Sequence, residues 1–516
     1  MKSIVVLFDE KNKYEDEKVF DGKSAKELCR LSAASLGFEV KTISGCPAIT
    51  ALLEELDKIC RETGADNLIF AYADCLFLNK SLTQELLSTH IDYKAEYTFA
   101  EGYPESFAPE ILNNGTISIL YELSRTTAKA AGDQKVSRHS LMDIIKTDIN
   151  SFEVETVLAP VDWRLYRFAF DCRKKETFIA CRKLYAKYSP VLTALGQGLF
   201  DADAAELSDY AAKHPEILKT VPAFYNLQLA QKCQGKCSYC PYPTALWNKE
   251  SIEASSADKV MITENALKLI DQIAEFSGEA VIGLSAWGEC FNHPDLLKII
   301  EKILSYPGLS VLIEADGSSI PDDFAQAVAP LVNAAPERTN GWQKLMLVVS
   351  MDGIKAESCA LLRGKAFNLE KAADNVKKLE EAIPGCVYPQ FVRMNANEDQ
   401  LEGFFRWWNE KTSQSHGNFI IQKYNSFAGL LKNEEPADLS PLERNVCWHL
   451  RRDLTILYNG DVPLCYCRVL DDIVGNVFGQ GLEEIWKKLD VLLKDHIAGC
   501  YGEKCGGCDE FYTFNF

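Results

Sequence analysis

Three thiols fall within eight residues at Cys233-Gln-Gly-Lys-Cys237-Ser-Tyr-Cys240. Thiolates are soft ligands, and softness selects zinc, cuprous copper and iron–sulfur clusters over hard cations. A structural zinc site needs four ligands and usually draws them from paired CxxC knuckles. Three closely spaced thiolates instead suit a cubane that keeps one iron without a protein ligand, able to bind an external molecule and pass it one electron. A second group follows at Cys447, Cys465, Cys467, Cys500, Cys505 and Cys508. The other nine of the 18 cysteines stand singly, most of them in apolar or helical stretches. There, cysteine acts as a small buried hydrophobe.

The loop must be held by what surrounds it. It directly follows a strand-like run, Phe224–Ala230. Five more such runs follow at Ala280–Ser285, Ser310–Glu314, Lys344–Ser350, Val387–Arg393 and Asn418–Lys423. Between them lie amphipathic segments with apolar residues three and four apart, such as Thr263–Ala274 and Pro294–Leu304. Six strand–helix units in succession predict a parallel sheet, and six are too few to close the eight-stranded barrel. The expected fold class is therefore α/β, with an open, partial (β/α)6 barrel over residues 221–430. Its ligands belong at the C-terminal ends of the strands, which is where the cysteine loop lies. Residues 1–200 form a separate α/β region with strands at Ile4–Phe8 and Asn67–Tyr72, residues 201–220 read as a polar helical connector, and residues 431–516 are rich in cysteine and aromatics. There Asn459-Gly460 predicts a hairpin turn that brings Cys447 and Cys465 together across a small sheet.

Composition narrows the function. The 516 residues are 47% hydrophobic and 25% charged, with a net charge of −19. An acidic surface repels phosphate backbones, so nucleic acid is not an expected partner. No apolar run reaches the roughly 18–20 residues of a membrane helix, and the first residues are too soon charged for a signal peptide. A cytoplasmic protein without a membrane span is expected, in a compartment where thiols stay reduced and grouped cysteines point to metal.

The loop resembles that of the radical S-adenosylmethionine enzymes, in which a CxxxCxxC motif follows the first strand of a partial barrel and an aromatic residue, here Tyr239, precedes the last cysteine. The resemblance implies a 4Fe–4S cluster on Cys233, Cys237 and Cys240, with S-adenosylmethionine chelated to the free iron and cleaved to a 5′-deoxyadenosyl radical that takes hydrogen from a substrate. Ala286-Trp-Gly288-Glu289 is similar to the family's GGE-type motif, with Trp287 in place of the first glycine. It implies that the backbone at Gly288 and the Glu289 side chain bind the methionine amino group. Val349-Ser350-Met-Asp352-Gly353, followed by Arg363-Gly364, looks like the SxDG…Rg stretch of the peptide-modifying branch, implying Ser350 at the ribose and Arg363 at the carboxylate.

The C-terminal cysteines resemble a SPASM or twitch extension that departs from the full pattern. Six thiols are too few for two fully cysteine-ligated four-iron clusters. The expectation is one auxiliary 4Fe–4S cluster on Cys447, Cys465, Cys505 and Cys508, with Cys467 and Cys500 spare; a permuted ligand set and zinc are the alternatives. Sulfatase maturases of this branch carry an aspartate as base directly after the second of these cysteines. Here that residue is Tyr466, which argues against formylglycine formation.

Residues 1–200 resemble GT-A-type nucleotidyltransferases through Ala71-Tyr-Ala-Asp74, Tyr103–Glu110 and Asp162–Asp171. Asp74 and Asp171 are the implied ligands of a divalent metal at a nucleotide phosphate. The family's glycine-rich phosphate loop is replaced by the acidic Asp9-Glu-Lys-Asn-Lys-Tyr-Glu-Asp-Glu17, so a degenerate domain is expected. The whole arrangement resembles the spiro-SPASM proteins of spirochetes, down to the ending Cys508-Asp-Glu-Phe-Tyr-Thr-Phe-Asn-Phe516. The resemblance implies a radical enzyme acting on a peptide or protein side chain and reduced by a donor such as flavodoxin or ferredoxin. The alternatives are a small-molecule substrate, such as a nucleotide-linked sugar or envelope precursor, and a non-enzymatic iron–sulfur binding protein.

Overall fold

The computed structural model describes residues 1–131, 133–242, 259–410, 413–468 and 473–513. The chain divides into two compact units, Met1–Thr220 and Val221–Phe516. Among the described residues no helix is long and apolar enough to cross a membrane.

The first unit is built on a sheet of six strands: β1 (Ser3–Asp9), β2 (Glu39–Ser44), β3 (Asn67–Tyr72), β4 (Tyr97–Glu101), β5 (Glu110–Asn113) and β6 (Val154–Leu158), in the order β2-β1-β3-β5-β4-β6. Strands β1 and β3 are buried throughout, as their unbroken apolar runs require for strands covered on both faces. Only β5 runs antiparallel to its neighbours. The expected connector at 201–220 is instead part of this unit. Its helix Ala204–Lys213, capped by the Asp203 carboxylate, buries Ala204, Leu207, Ser208 and Ala211 on one stripe, a spacing that commits a helix to a packed surface.

The second unit contains all six expected barrel strands: β7 (Phe224–Leu227), β8 (Ala280–Gly283), β9 (Leu309–Asp316), β10 (Leu345–Ser350), β11 (Val387–Arg393) and β12 (Ile420–Lys423). A seventh, β13 (Asp453–Ile456), comes from the cysteine-rich tail and lies parallel to β7, giving the order β12-β11-β10-β9-β8-β7-β13. This corrects the hairpin reading. The Asn459-Gly460 turn is present, with the Leu457 N–H donating to the Asp461 carbonyl at 2.8 Å, but β13 joins the barrel sheet. The next strand, β14 (Asp461–Pro463), instead pairs antiparallel with β15 (Ile473–Asn476). The tail is therefore joined to the barrel through a shared sheet.

Strand periodicity sets the barrel's interior. Phe224, Val281, Leu312 and Val348 form an apolar inner layer with Tyr388 and Ile420 packed against it. Two residues further along each strand, toward its C-terminal end, the inward positions are Asn226, Gly283, Glu314, Ser350, Gln390 and Gln422, which line an open cavity.

Candidate functional site

The cysteine loop is pinned to the barrel mouth by backbone hydrogen bonds. The Lys236 and Ser238 N–H groups donate to the carbonyls of Arg363 and Leu362 at 3.1 and 2.8 Å. The Glu289 N–H donates to the Lys232 carbonyl at 2.9 Å. Gly235 keeps the space between the thiols clear, since a Cβ there would stand 3.4 Å from the Cys233 Sγ and 3.6 Å from the Cys237 Sγ. Burial pushes the Cys233 thiol up to about 12 and raises Cys237 and Cys240 as well. Such thiols give up their protons to a bound metal.

Gly288 is held against the segment that leads from β7 into the loop. A Cβ on it would lie 1.8 Å from the Ala230 carbonyl oxygen, so no side chain fits. The preceding Trp287 takes a left-handed φ of 38°, and its carbonyl accepts the Gln228 side-chain amide at 2.6 Å. Glu289 is buried, accepting from the Ser319 hydroxyl at 2.9 Å and the Asp316 N–H at 3.2 Å. Its desolvation pushes the carboxyl up to about 7.

Arg363 is also buried, among partners supplied by the chain itself. One terminal nitrogen donates to Asp352 at 2.6 Å and to the Tyr239 hydroxyl, and the other reaches Asp316 at 3.3 Å. Asp352 in turn accepts from the Tyr239 hydroxyl at 2.5 Å and the Val392 N–H at 2.8 Å. Arg363, Asp352, Asp316 and Tyr239 thus tie the loop to β9, β10 and β11, which makes Arg363 a positioning residue. Asp316 has no motif to mark it in the sequence. Ser350 donates to Gln390 at 2.9 Å, and Gln390 bonds Gln422 on the next strand.

In the tail, burial raises the Cys447 and Cys465 thiols, with Cys508 near both, Cys465 near Cys447 and Cys505 near Cys465. The two spare thiols separate. Cys467 hydrogen-bonds Cys508 and accepts from the Asn425 amide at 3.7 Å, inside the group. Cys500 is exposed and donates to the Ala498 carbonyl at 3.8 Å. Eight thiols, all those of the two groups except Cys500, line one cavity of about 760 Å³. Among the described residues no three Cys, His, Asp or Glu groups close on a point as ligands of one metal ion do. Thiols spaced around a cavity fit clusters that are ligated at their corners.

Two departures from the family pattern turn out to be one feature. Trp287, in place of glycine, stacks on Tyr466, in place of aspartate, with ring centres 4.5 Å apart and planes 8° from parallel. Phe427 packs against Tyr466 at 5.6 Å. An aromatic wall thus stands between the two thiol groups where the pattern would place a base. Only the fold brings these two positions together.

The first unit does not offer Asp74 and Asp171 to a metal. Arg138, buried and 3.8 Å over the Tyr72 ring, donates to Asp74 at 2.6 Å, to Glu10 at 2.9 Å and to the Cys75 Sγ at 3.3 Å. The other Asp74 oxygen accepts the Cys172 N–H at 3.0 Å, and Asp171 is taken by Arg173 at 2.6 Å and Thr177 at 2.8 Å. A guanidinium occupies the place that a divalent cation would need. Arg138→Met leaves two carboxylates without a counter-charge and is expected to destabilise the chain by about 3 kcal/mol, read from urea unfolding.

Residues 447–509 match the family model of SPASM, an iron–sulfur cluster-binding domain. Together with a CxxxCxxC loop at the C-terminal mouth of an open parallel barrel sheet, this defines the class: a radical S-adenosylmethionine fold carrying a SPASM domain. The chain belongs to the family of an uncharacterized protein of Treponema pallidum (strain Nichols), with which it shares 35% identity over 386 residues, 73% of this chain and 98% of that one. It is also similar to the crystal structure of Streptococcus suis SuiB bound to S-adenosylmethionine, at 15% identity and a TM-score of 0.38 over 63% of this chain and 81% of that one. A cytidylyltransferase from Leptospira borgpetersenii serovar Hardjo-bovis aligns at 10% identity and a TM-score of 0.32, covering 42% of this chain and 97% of the other.

Proposed function

We propose that the protein is a radical S-adenosylmethionine enzyme that takes a hydrogen atom from a peptide or protein side chain. The observation that carries this reading is the pinning of the three-thiol loop beside Gly288 and Glu289 at the mouth of the barrel. The cluster and S-adenosylmethionine, when bound, supply a 5′-deoxyadenosyl radical by one-electron reduction from a donor such as flavodoxin or ferredoxin.

The chain's own residues bind, orient and exclude. Cys233, Cys237 and Cys240 hold the cluster, and Cys447, Cys465, Cys505 and Cys508 hold an auxiliary one, with Cys467 placed to substitute for one of that set. The bare backbone at Gly288 lets the methionine end of the cofactor approach closely, and the Glu289 carboxylate accepts from its ammonium group. Ser350, on the adjoining inner face, takes a ribose hydroxyl. Arg363 and Asp352 fix Tyr239 and through it the loop, so the thiols need no reorganisation on loading. The Trp287–Tyr466 wall keeps water from the space where a radical would be quenched.

Reconstituted protein given dithionite and S-adenosylmethionine is expected to release 5′-deoxyadenosine; none from a fully iron-loaded preparation would refute the reading. Glu289→Gln keeps the shape and removes the charge. Hydrogen bonds to charged groups contribute about 1.5–3 kcal/mol, so affinity for S-adenosylmethionine should fall at least about tenfold by calorimetry.

A further inference from the structure

Glu314 stands apart from every other acid in the cavity. Glu289 is satisfied by Ser319 and the Asp316 N–H, and Asp316 faces Arg363. Asp453 pairs with His449 at 2.6 Å and with Arg452 at 2.5 Å, and Glu510 pairs with Lys423 at 3.1 Å. Glu314 points from β9 into the cavity, exposed to it, and among the described residues no cation lies in contact with it, Arg363 acting on it only from a distance. Its carboxylate bonds the Gln390 side chain. The inward positions on the other five strands of its layer, Asn226, Gly283, Ser350, Gln390 and Gln422, are all uncharged. Below them lies the apolar layer of Phe224, Val281, Leu312 and Val348.

A lone carboxylate tolerates this position while water fills the cavity. Once cofactor and substrate expel that water, a charge without a partner is costly, and a cation brought by the substrate removes the cost. We infer that Glu314 is a substrate-recognition residue for a cationic nitrogen, an ammonium or guanidinium on an aliphatic body, with the carbon skeleton seated on the apolar layer. This rests on the proposed radical chemistry and narrows its substrate. The same nitrogen is found on a basic peptide side chain and on an amino sugar, and the two sources are separable by experiment.

The test uses the reconstituted full chain saturated with S-adenosylmethionine. The probes are capped Gly-Lys-Gly against its norleucine counterpart, and glucosamine against glucose, with binding followed by calorimetry. The amine of one pair is expected to bind at least about tenfold more tightly than its neutral isostere. Glu314→Gln should erase that preference, and Glu314→Asp should keep part of it, which separates loss of charge from loss of fold. The pair that shows the effect identifies the source of the nitrogen. No preference in either pair, or a preference that survives in Glu314→Gln, would each overturn the inference. Because 5′-deoxyadenosine release is measured separately, its presence without an amine preference rejects this inference and leaves the radical reading intact.

Discussion

Alanine at Cys240 is expected to lower S-adenosylmethionine cleavage by at least about 1000-fold, to background, while the tail keeps its iron. Two thiolates cannot hold a cubane that needs three and leave only one iron open for the cofactor. Among the described residues the buried Cys290 points to Ser285 and Glu289 at 3.8 Å, away from the place of the missing thiol. Replacing Cys233, Cys237 and Cys240 together should take the chain from about eight iron atoms to about four, the remainder belonging to the tail. That retained iron shows that the fold has survived, because β13, in the same sheet as β7, lies between Cys447 and Cys465. Iron unchanged by the triple replacement would remove the loop as a cluster site.

Gly288→Ala carries the largest expected structural penalty. The added Cβ meets only backbone: the Ala230 oxygen at 1.8 Å, the Ala230 carbonyl carbon at 2.9 Å and the Gln231 Cα at 3.3 Å. No flexible side chain can swing aside, so the clash is relieved only by moving the segment that leads into Cys233. A cost above about 4 kcal/mol is expected, in the range reserved for severe core disruption, with loss of S-adenosylmethionine binding. Gly479→Ala is the control. A Cβ there meets nothing within 4 Å, and the change should stay within about 0.5 kcal/mol. Urea unfolding of the two variants side by side checks the pair. Equal, small effects would mean that the turn is not packed as described.

The six barrel strands and the position of the cysteine loop can be read directly from the sequence, because apolar runs alternating with amphipathic segments admit few other architectures. The seventh strand cannot. Asp453-Leu-Thr-Ile456 is four residues long and precedes a strong turn signal, so local rules favour a hairpin. Its pairing with β7 is decided by the buried faces of Leu454 and Ile456, which join the barrel core. The site shows the same division. Cys233, Cys237, Cys240, Gly288 and Glu289 lie in compact motifs, whereas the Arg363–Asp316 bond joins positions that nothing in the sequence connects. Trp287 and Tyr466 read as two unrelated departures until the fold stacks them. Glu314 closes an ordinary apolar run, and only the fold reveals that no cation lies in contact with it among the described residues.

The proposed activity requires S-adenosylmethionine to bind the cluster held by the three-thiol loop. The most direct measurement is the electron paramagnetic resonance spectrum of the dithionite-reduced, fully loaded protein with and without S-adenosylmethionine. The expected result is a loop-cluster signal that shifts on addition of the cofactor, with 5′-deoxyadenosine accumulating in the same sample, and neither change in Cys240→Ala. A loaded loop cluster whose signal is unmoved by saturating S-adenosylmethionine, with no 5′-deoxyadenosine formed, would contradict the account.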